Sequence, residues 1–331
     1  MKIPMVGFDI TSNCNLACLH CRVHELEADC SYEEVCAMVD KLAPLEPKVM
    51  FITGGEPLIR DDIVDIVKYI AAKGYQCQLN TNGLLLTEGL MRELAEAGLG
   101  FMQISLDGPR HVHESLRGPG TFDAAVDAIE LASGYVQVVV NTTLSRMNLE
   151  TIPEMAEYVL VERGLRPRVF GLKRFIANKQ QMKEYVLGPR GVARLLEILA
   201  DLRARFGNLT EFRTDAPQTN QGNEERVRRI MRQIGLSCGG CSAGVASLHV
   251  RANGDVAPCS VLDVTIGNMK TQTLDELLAA MELWGFADRA KLKGHCGLCD
   301  VRDVCGGCRA AALAEFGDPM EEDPECPRYL T

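Results

Sequence analysis

The 331-residue chain has a formal charge of −10, 45 acidic against 35 basic residues, and no stripe of Lys and Arg, which argues against nucleic acid as a partner. No apolar run approaches the roughly 18 residues of a membrane span, and MKIPMVGFDITSN has no cleavable-signal pattern, so a cytoplasmic protein with no membrane partner is expected. Fourteen cysteines in such a chain point to metal rather than disulfides, because cytosolic thiols are kept reduced.

In chain order, the first expected element is a strand over 3–10. Cys14, Cys18 and Cys21 follow it directly as Cys-x3-Cys-x2-Cys, on a loop at the strand's carboxyl end. Three thiolates at this spacing can hold three irons of a 4Fe-4S cluster and leave the fourth iron open to a small-molecule chelate, whereas a structural zinc site closes its shell with a fourth ligand. A helix over 31–43 comes next, with Ser31 as N-cap and Glu34 in capping-box position. The strand over 48–53 ends on Gly54-Gly55-Glu56-Pro57, and a helix spans 61–73. The strand over 75–80 ends on Asn80-Thr81-Asn82-Gly83, and a helix spans 87–97. The strand over 101–106 runs into Ser105-Leu106-Asp107-Gly108. A helix over 121–134, a strand over 136–143 that carries Asn141, a helix over 148–163 and a strand over 167–173 complete the series. Six βα repeats curl a parallel sheet without closing an eight-stranded barrel, so the fold class is α/β, a partial (β/α)6 barrel over 1–175.

Between these elements, Asp107, His111, His113 and Arg117 read either as a capping and salt-bridge network or as substrate contacts, with His113 structural. Cys30 and Cys36 read as a free thiol pair, and Cys77 as a buried small apolar residue. Residues 176–236 are charged and helical, a bridge to a last segment over 237–331 in which Gly and Cys replace apolar period, as in a small domain organised by metal. That segment holds Cys238-x2-Cys241, then x12-Gly254-x4-Cys259, then Cys296-x2-Cys299-x5-Cys305-x2-Cys308, and Cys326. Eight thiolates are the number two fully ligated 4Fe-4S clusters need, and a zinc ribbon of paired knuckles is the competing reading.

The early triad, with GGEP, NTNG and SLDG at three successive strand ends, resembles the radical S-adenosylmethionine superfamily. The resemblance implies that the methionyl amine and carboxylate of S-adenosylmethionine bind the open iron, and that the cofactor is cleaved reductively to a 5'-deoxyadenosyl radical that abstracts hydrogen from a substrate carbon. It implies that backbone groups of Gly54 and Gly55 and the Glu56 carboxylate hold the methionine ammonium. Asn82 and Ser105 would line the cofactor, Asn141 would assist, and His20 would lie near the adenine. The later cysteines resemble the SPASM extension, departing from its common form in the x2 before Cys308 and in the additional Cys238. By that family's crossed pattern, one auxiliary cluster takes Cys238 or Cys241 or both, with Cys259 and Cys308, and the other takes Cys296, Cys299, Cys305 and Cys326.

The ending GHCGLCDVRDVCGGCRAAALAEFGDPMEEDPEC resembles enzymes of the haem and haem d1 pathways and certain peptide maturases, and HCRVHELEA leans toward the tetrapyrrole group. The implied function is a radical SAM/SPASM oxidoreductase with an oxidative outcome, acting on a tetrapyrrole or other small biosynthetic intermediate and served by a reductant such as flavodoxin or ferredoxin. The alternative within the class is a maturase of a ribosomally made peptide, against which the start at the first strand leaves no room for a fused recognition domain. The alternative of another class is a non-catalytic iron-sulfur carrier or scaffold.

Overall fold

Strand β1 (Met5–Asp9) alternates: Val6 and Phe8 are buried, while Met5, Gly7 and Asp9 face the other way and are half-buried. Period two is what a strand requires when one face packs on helices and the other looks into an open lumen. The computed structural model, which describes residues 2–22, 29–177 and 180–330, continues the series with β2 (Val49–Thr53), β3 (Gln76–Thr81), β4 (Leu99–Ser105), β5 (Gln137–Leu144) and β6 (Val169–Arg174). All pair in parallel in sequential order, each close to its expected position.

Helices α1 (Tyr32–Lys41), α2 (Ile63–Ala72), α3 (Glu88–Glu96), α4 (Arg110–Arg117), α5 (Thr121–Ser133) and α6 (Ile152–Glu157) occupy the crossovers. In α2 the buried residues Ile63, Ile66, Val67 and Ile70 fall at i, i+3, i+4 and i+7, a single stripe against the sheet. The expected capping box at α1 is present: the Glu34 N–H donates to Ser31 Oγ, and the Ser31 N–H to Glu34 Oε2. Such a cap contributes about 1 kcal/mol.

The sheet extends beyond six strands on both sides. The charged bridge contains α7 (Gly188–Phe206), β7 (Glu211–Thr214) and α8 (Glu224–Ile234), and β7 adds parallel to β6. On the other edge, β8 (Ser247–Val250) pairs parallel with β1, followed by the antiparallel β9 (Asp255–Ala257) and β10 (Gly267–Asn268). Among the described residues, one sheet of order β10-β9-β8-β1-β2-β3-β4-β5-β6-β7 therefore runs through all three expected segments. Gly7 permits the β1–β8 approach, since a Cβ there would run into the ring of His249, whose Nε2 lies 2.8 Å from Asp9 Oδ2. Helices α9 (Leu274–Trp284), α10 (Gly294–Leu298) and α11 (Arg309–Phe316) complete the chain, and no described helix is long and apolar enough to cross a membrane.

Candidate active site

Cys14, Cys18 and Cys21 lie on the loop that leaves β1 at the carboxyl end of the sheet, close enough for each charge to act on the others. Burial pushes the Cys18 thiol up to about 11, and the Arg117 guanidinium opposes it. A bound cation is what makes such a group a thiolate near neutral pH. Asp29 clamps the start of the loop, accepting from Thr11 Oγ1 at 2.6 Å, the Ser12 N–H at 2.7 Å and Asn13 Nδ2 at 2.8 Å. From the other side, Gly55 N–H donates to the Thr11 carbonyl and Glu56 N–H to the Asn13 carbonyl, both at 2.8 Å. Gly54, at φ 133°, and Gly55 fit there because a Cβ on either would enter the Thr11 or Asn13 carbonyl. The glycines of GGEP thus press the end of β2 against the cysteine loop. The last six residues of HCRVHELEA, 23–28, lie outside the described residues.

Glu56 is buried, and both its carboxylate oxygens are engaged within the protein. Oε1 accepts from Thr81 Oγ1 at 2.6 Å and the Leu58 N–H at 3.1 Å, and Oε2 from the Asn82 N–H at 2.7 Å. Asn82 in turn donates from Nδ2 to Asn15 Oδ1 at 2.8 Å, between the first two cysteines. GGEP and NTNG are therefore mechanically linked to the triad. Glu56→Ala is expected to weaken S-adenosylmethionine binding by roughly 10- to 100-fold, the equivalent of about 1.5–3 kcal/mol for a lost charge-assisted hydrogen bond, with iron retained. Equilibrium binding of the cofactor to iron-replete protein is the check, and an unchanged Kd would reduce Glu56 to a turn residue.

The segment after β4 is an internal network. Asp107, fully buried, accepts from Arg117 Nε at 2.6 Å and the Thr143 N–H at 2.8 Å, with His20 Nε2 at 3.4 Å. Arg117 Nη1 reaches Cys18 Sγ at 4.0 Å. His113 is buried, its Nδ1 accepts the Asp107 N–H at 3.0 Å, and burial pulls its pKa down to about 4, so it stands neutral as a structural acceptor. His111 is exposed on α4. His20 thus sits beside Asp107, at the edge of the cysteine loop.

The lumen face of the barrel is polar. Gln78 Nε2 donates to Asn80 Oδ1 and Gln103 Oε1, both at 3.3 Å, and Lys173 Nζ donates to the same Gln103 oxygen at 3.4 Å. Ser105 and Asn141 are register partners at the ends of β4 and β5. Asn141 Oδ1 is buried without a hydrogen-bond partner among the described residues, beside Gly171. A buried orphan acceptor at this rim fits a ligand that brings a hydroxyl or ammonium donor, as S-adenosylmethionine does.

The later cysteines separate into two groups. Cys296, Cys299, Cys305 and Cys326 line one cavity of about 210 Å³. N–H groups point at its sulfurs: the Asp323 amide and Arg328 Nη1 at 3.3 Å from Cys296 and Cys299, and Gln221 Nε2 at 3.9 Å from Cys305. Donors around sulfur are what cluster thiolates require, so the residues fit a 4Fe-4S centre. Cys259 and Cys308 both feel the charge of Cys241, while Cys238 is buried in an apolar cluster with Met231, Val245, Val304 and Cys305 of the first group. Arg22, next to Cys21, donates to the Ile176 and Val261 carbonyls and feels Cys259 and Cys308, joining the first cysteine loop to the second group. Cys30 and Cys36 are both free thiols, and the Cys30 Sγ donates to the Ala252 carbonyl at 2.6 Å. Cys77 is buried in β3. Asp29, Arg22 and the Arg117–Cys18 contact carry no local sequence signal, whereas Lys173, an inward lysine in an apolar strand, does.

An open parallel barrel with a three-cysteine loop at its carboxyl rim and a cysteine-lined cavity beside it defines an iron-sulfur enzyme of the S-adenosylmethionine-dependent class. The chain belongs to the radical SAM superfamily, whose pattern matches residues 8–159, and an iron-sulfur cluster-binding domain, SPASM, matches residues 241–308. It is 30% identical over 337 residues to an AdoMet-dependent heme synthase of Methanosarcina barkeri, covering 97% of this chain and 95% of that one. It is 28% identical to the mycofactocin maturase MftC of Mycobacterium tuberculosis, covering 96% and 81%. The crystal structure of Streptococcus suis SuiB bound to S-adenosylmethionine shares the fold at a TM-score of 0.74 and 18% identity, covering 97% and 74%. The protein is accordingly an enzyme that uses S-adenosylmethionine and 4Fe-4S clusters.

Proposed function

We propose that the enzyme acts on a carboxylate-bearing tetrapyrrole, with Cys14, Cys18 and Cys21 holding the cofactor-binding cluster and Gly54, Gly55, Glu56, Asn82, Ser105, Asn141 and His20 forming the surrounding pocket. Bound there, the cluster and S-adenosylmethionine supply hydrogen abstraction from an unactivated carbon. The chain's own residues hold and orient: Asp29 and Glu56 fix the cysteine loop, Asn141 offers its free acceptor at the rim, and the Asp107–Arg117 pair sets the charge beside Cys18. Cys241, Cys259 and Cys308, with Cys238 as the further candidate, and the set Cys296, Cys299, Cys305 and Cys326 are assigned to auxiliary clusters that remove the electron of an oxidative reaction. A cytoplasmic reductant of flavodoxin or ferredoxin type completes the cycle, and nucleic acid has no part in it.

The observation that carries the substrate class is Lys173. It is the exposed position of the otherwise buried β6, it opens into the lumen, and no carboxylate lies within ion-pair distance of it among the described residues. A lysine that opens to the lumen beside Gln103, with no ion-paired carboxylate and the charge of Asp215 acting on it only at longer range, suits a substrate carboxylate. The full-length similarity to a heme synthase supports a tetrapyrrole as the bearer of that carboxylate. Iron coproporphyrin III is the probe, followed by its Soret band. Lys173→Gln is expected to raise its Kd roughly 10- to 100-fold, with Lys173→Arg recovering most of the affinity. Wild-type protein that ignores the porphyrin but modifies a short peptide would move the substrate to the maturase reading.

A further inference from the structure

A surface groove of about 1030 Å³ lies at the amino ends of β6 and β7, between α8 and the loops that lead into these strands. Four arginines line it, Arg166, Arg168, Arg203 and Arg226, against one carboxylate, Glu211, which is ion-paired with Arg213. In a chain of net charge −10 this concentration is not the average surface. Arg166 and Arg203 are held in place by backbone carbonyls, of Leu160 and Leu165 and of Phe212. Arg168 and Arg226 are exposed and have no carboxylate within ion-pair distance among the described residues. Between the charges, Val227 and the exposed Ile230 supply an apolar strip. A cationic rim around a small apolar centre is the composition of a transient protein-docking surface, where charge sets encounter and apolar contact sets residence.

The wall of this groove is also the wall of the cavity lined by Cys296, Cys299, Cys305 and Cys326. Asn220 lines the groove and donates from Nδ2 to the Val304 carbonyl at 2.7 Å, one residue before Cys305. Its neighbour Gln221 lines the cysteine cavity and points Nε2 at Cys305 Sγ. Arg228 of α8 is tied to Asp303 at 2.7 Å, so the helix that forms one bank of the groove is fastened to the turn that carries Cys305.

We propose that this groove is the docking surface for a small acidic one-electron carrier protein, which exchanges single electrons with the cluster held by Cys296, Cys299, Cys305 and Cys326. The inference rests on the assignment of that cavity to an auxiliary cluster and on the carrier type named above. Each exchange oxidises one centre and reduces the other by one electron, with no bond made or broken. The groove presents positive charge outward, and the Asn220–Gln221 pair is the short path inward.

The test is binding of oxidised flavodoxin to the full-length, cluster-loaded enzyme, followed by calorimetry at several salt concentrations. Arg168→Glu/Arg226→Glu is expected to raise the Kd roughly 30-fold at low salt and to flatten its salt dependence. Lys68→Glu/Arg92→Glu, with the same change in net charge but placed on α2 and α3, is the control and is expected to leave the Kd within about twofold. Equal losses in both pairs would mean that flavodoxin reads only net charge, and an unaffected groove variant would mean that it docks elsewhere. Either outcome overturns the proposal, as does a groove variant that keeps flavodoxin but loses an acidic peptide added along the β7 edge. Iron content and the Soret titration of the porphyrin, measured on the same proteins, keep this outcome separate from failure of the substrate reading.

Discussion

Replacement of Cys14, Cys18 and Cys21 together should abolish cleavage of S-adenosylmethionine while leaving iron equal to about two 4Fe-4S clusters, the capacity of eight thiolates. The triad hangs on a loop clamped by Asp29, Gly55 and Glu56, and its one described tie to the later cysteines, Arg22 to the Val261 carbonyl, does not run through the replaced thiols, so loss of the first set should not empty the second. Iron analysis and Mössbauer spectra of the anaerobically purified triple variant measure both halves at once. Retained cleavage would remove the triad from the reaction, and absence of residual cubane iron, or zinc in its place, would remove the auxiliary clusters. The converse change, Cys305→Ala, should lower iron and loosen the end of the chain, because metal binding there is also folding free energy.

Asp107→Ala should cost about 3–5 kcal/mol, the usual penalty when one partner of a buried ion pair is removed and the other stays. Arg117 would remain with its side chain only 10% exposed, and the Thr143 N–H would lose its acceptor. Thermal unfolding of the loaded enzyme should fall on the order of 10 °C. Because Arg117 reaches Cys18 and His20 reaches Asp107, iron at the first site should fall as well, whereas Asp107→Asn, which keeps the shape and one acceptor, should lose less of both. A melting point within about 2 °C of wild type would show that the charge is solvated and the network dispensable.

The strands of the barrel were legible because apolar runs and turn residues are local signals: β1 to β6 and the Ser31–Glu34 box fall where period and capping chemistry place them. Strand β7 was not, since Glu-Phe-Arg-Thr is four residues long, with one buried side chain among charges, and is a strand only because β6 offers an edge. Helix α4 was hidden for a related reason: its polar face is dense with Arg, His and Glu, and only Val112, His113 and Leu116 turn inward. The site divides in the same way. The cysteines and glycines stand at spacings that chemistry dictates, but what holds them is set by tertiary geometry. Arg117 meets Cys18 across 99 positions and Arg22 meets Val261 across 239, and no window of sequence contains both partners. Glu56 shows the intermediate case, in which the motif was visible while the targets of its carboxylate, Thr81 and Asn82, were not.

The pairing of β1 with β8 has a consequence for biosynthesis. Strand β1 is the first made, and β2 covers one of its edges early, but the other edge waits for a partner about 240 residues downstream, as far as His249 is from Asp9. At ribosomal speeds of roughly 5–20 residues per second that interval is on the order of 10–50 s, during which an apolar strand edge stays open beside the nascent cysteine loop. The loop on which Cys14, Cys18 and Cys21 stand gains its clamps from Asp29, Gly55 and Glu56 early in translation, but its tie through Arg22 to the Val261 carbonyl forms only when the last third of the chain has emerged. A nascent chain halted before β8 would expose an edge of β1 suited to intermolecular strand pairing.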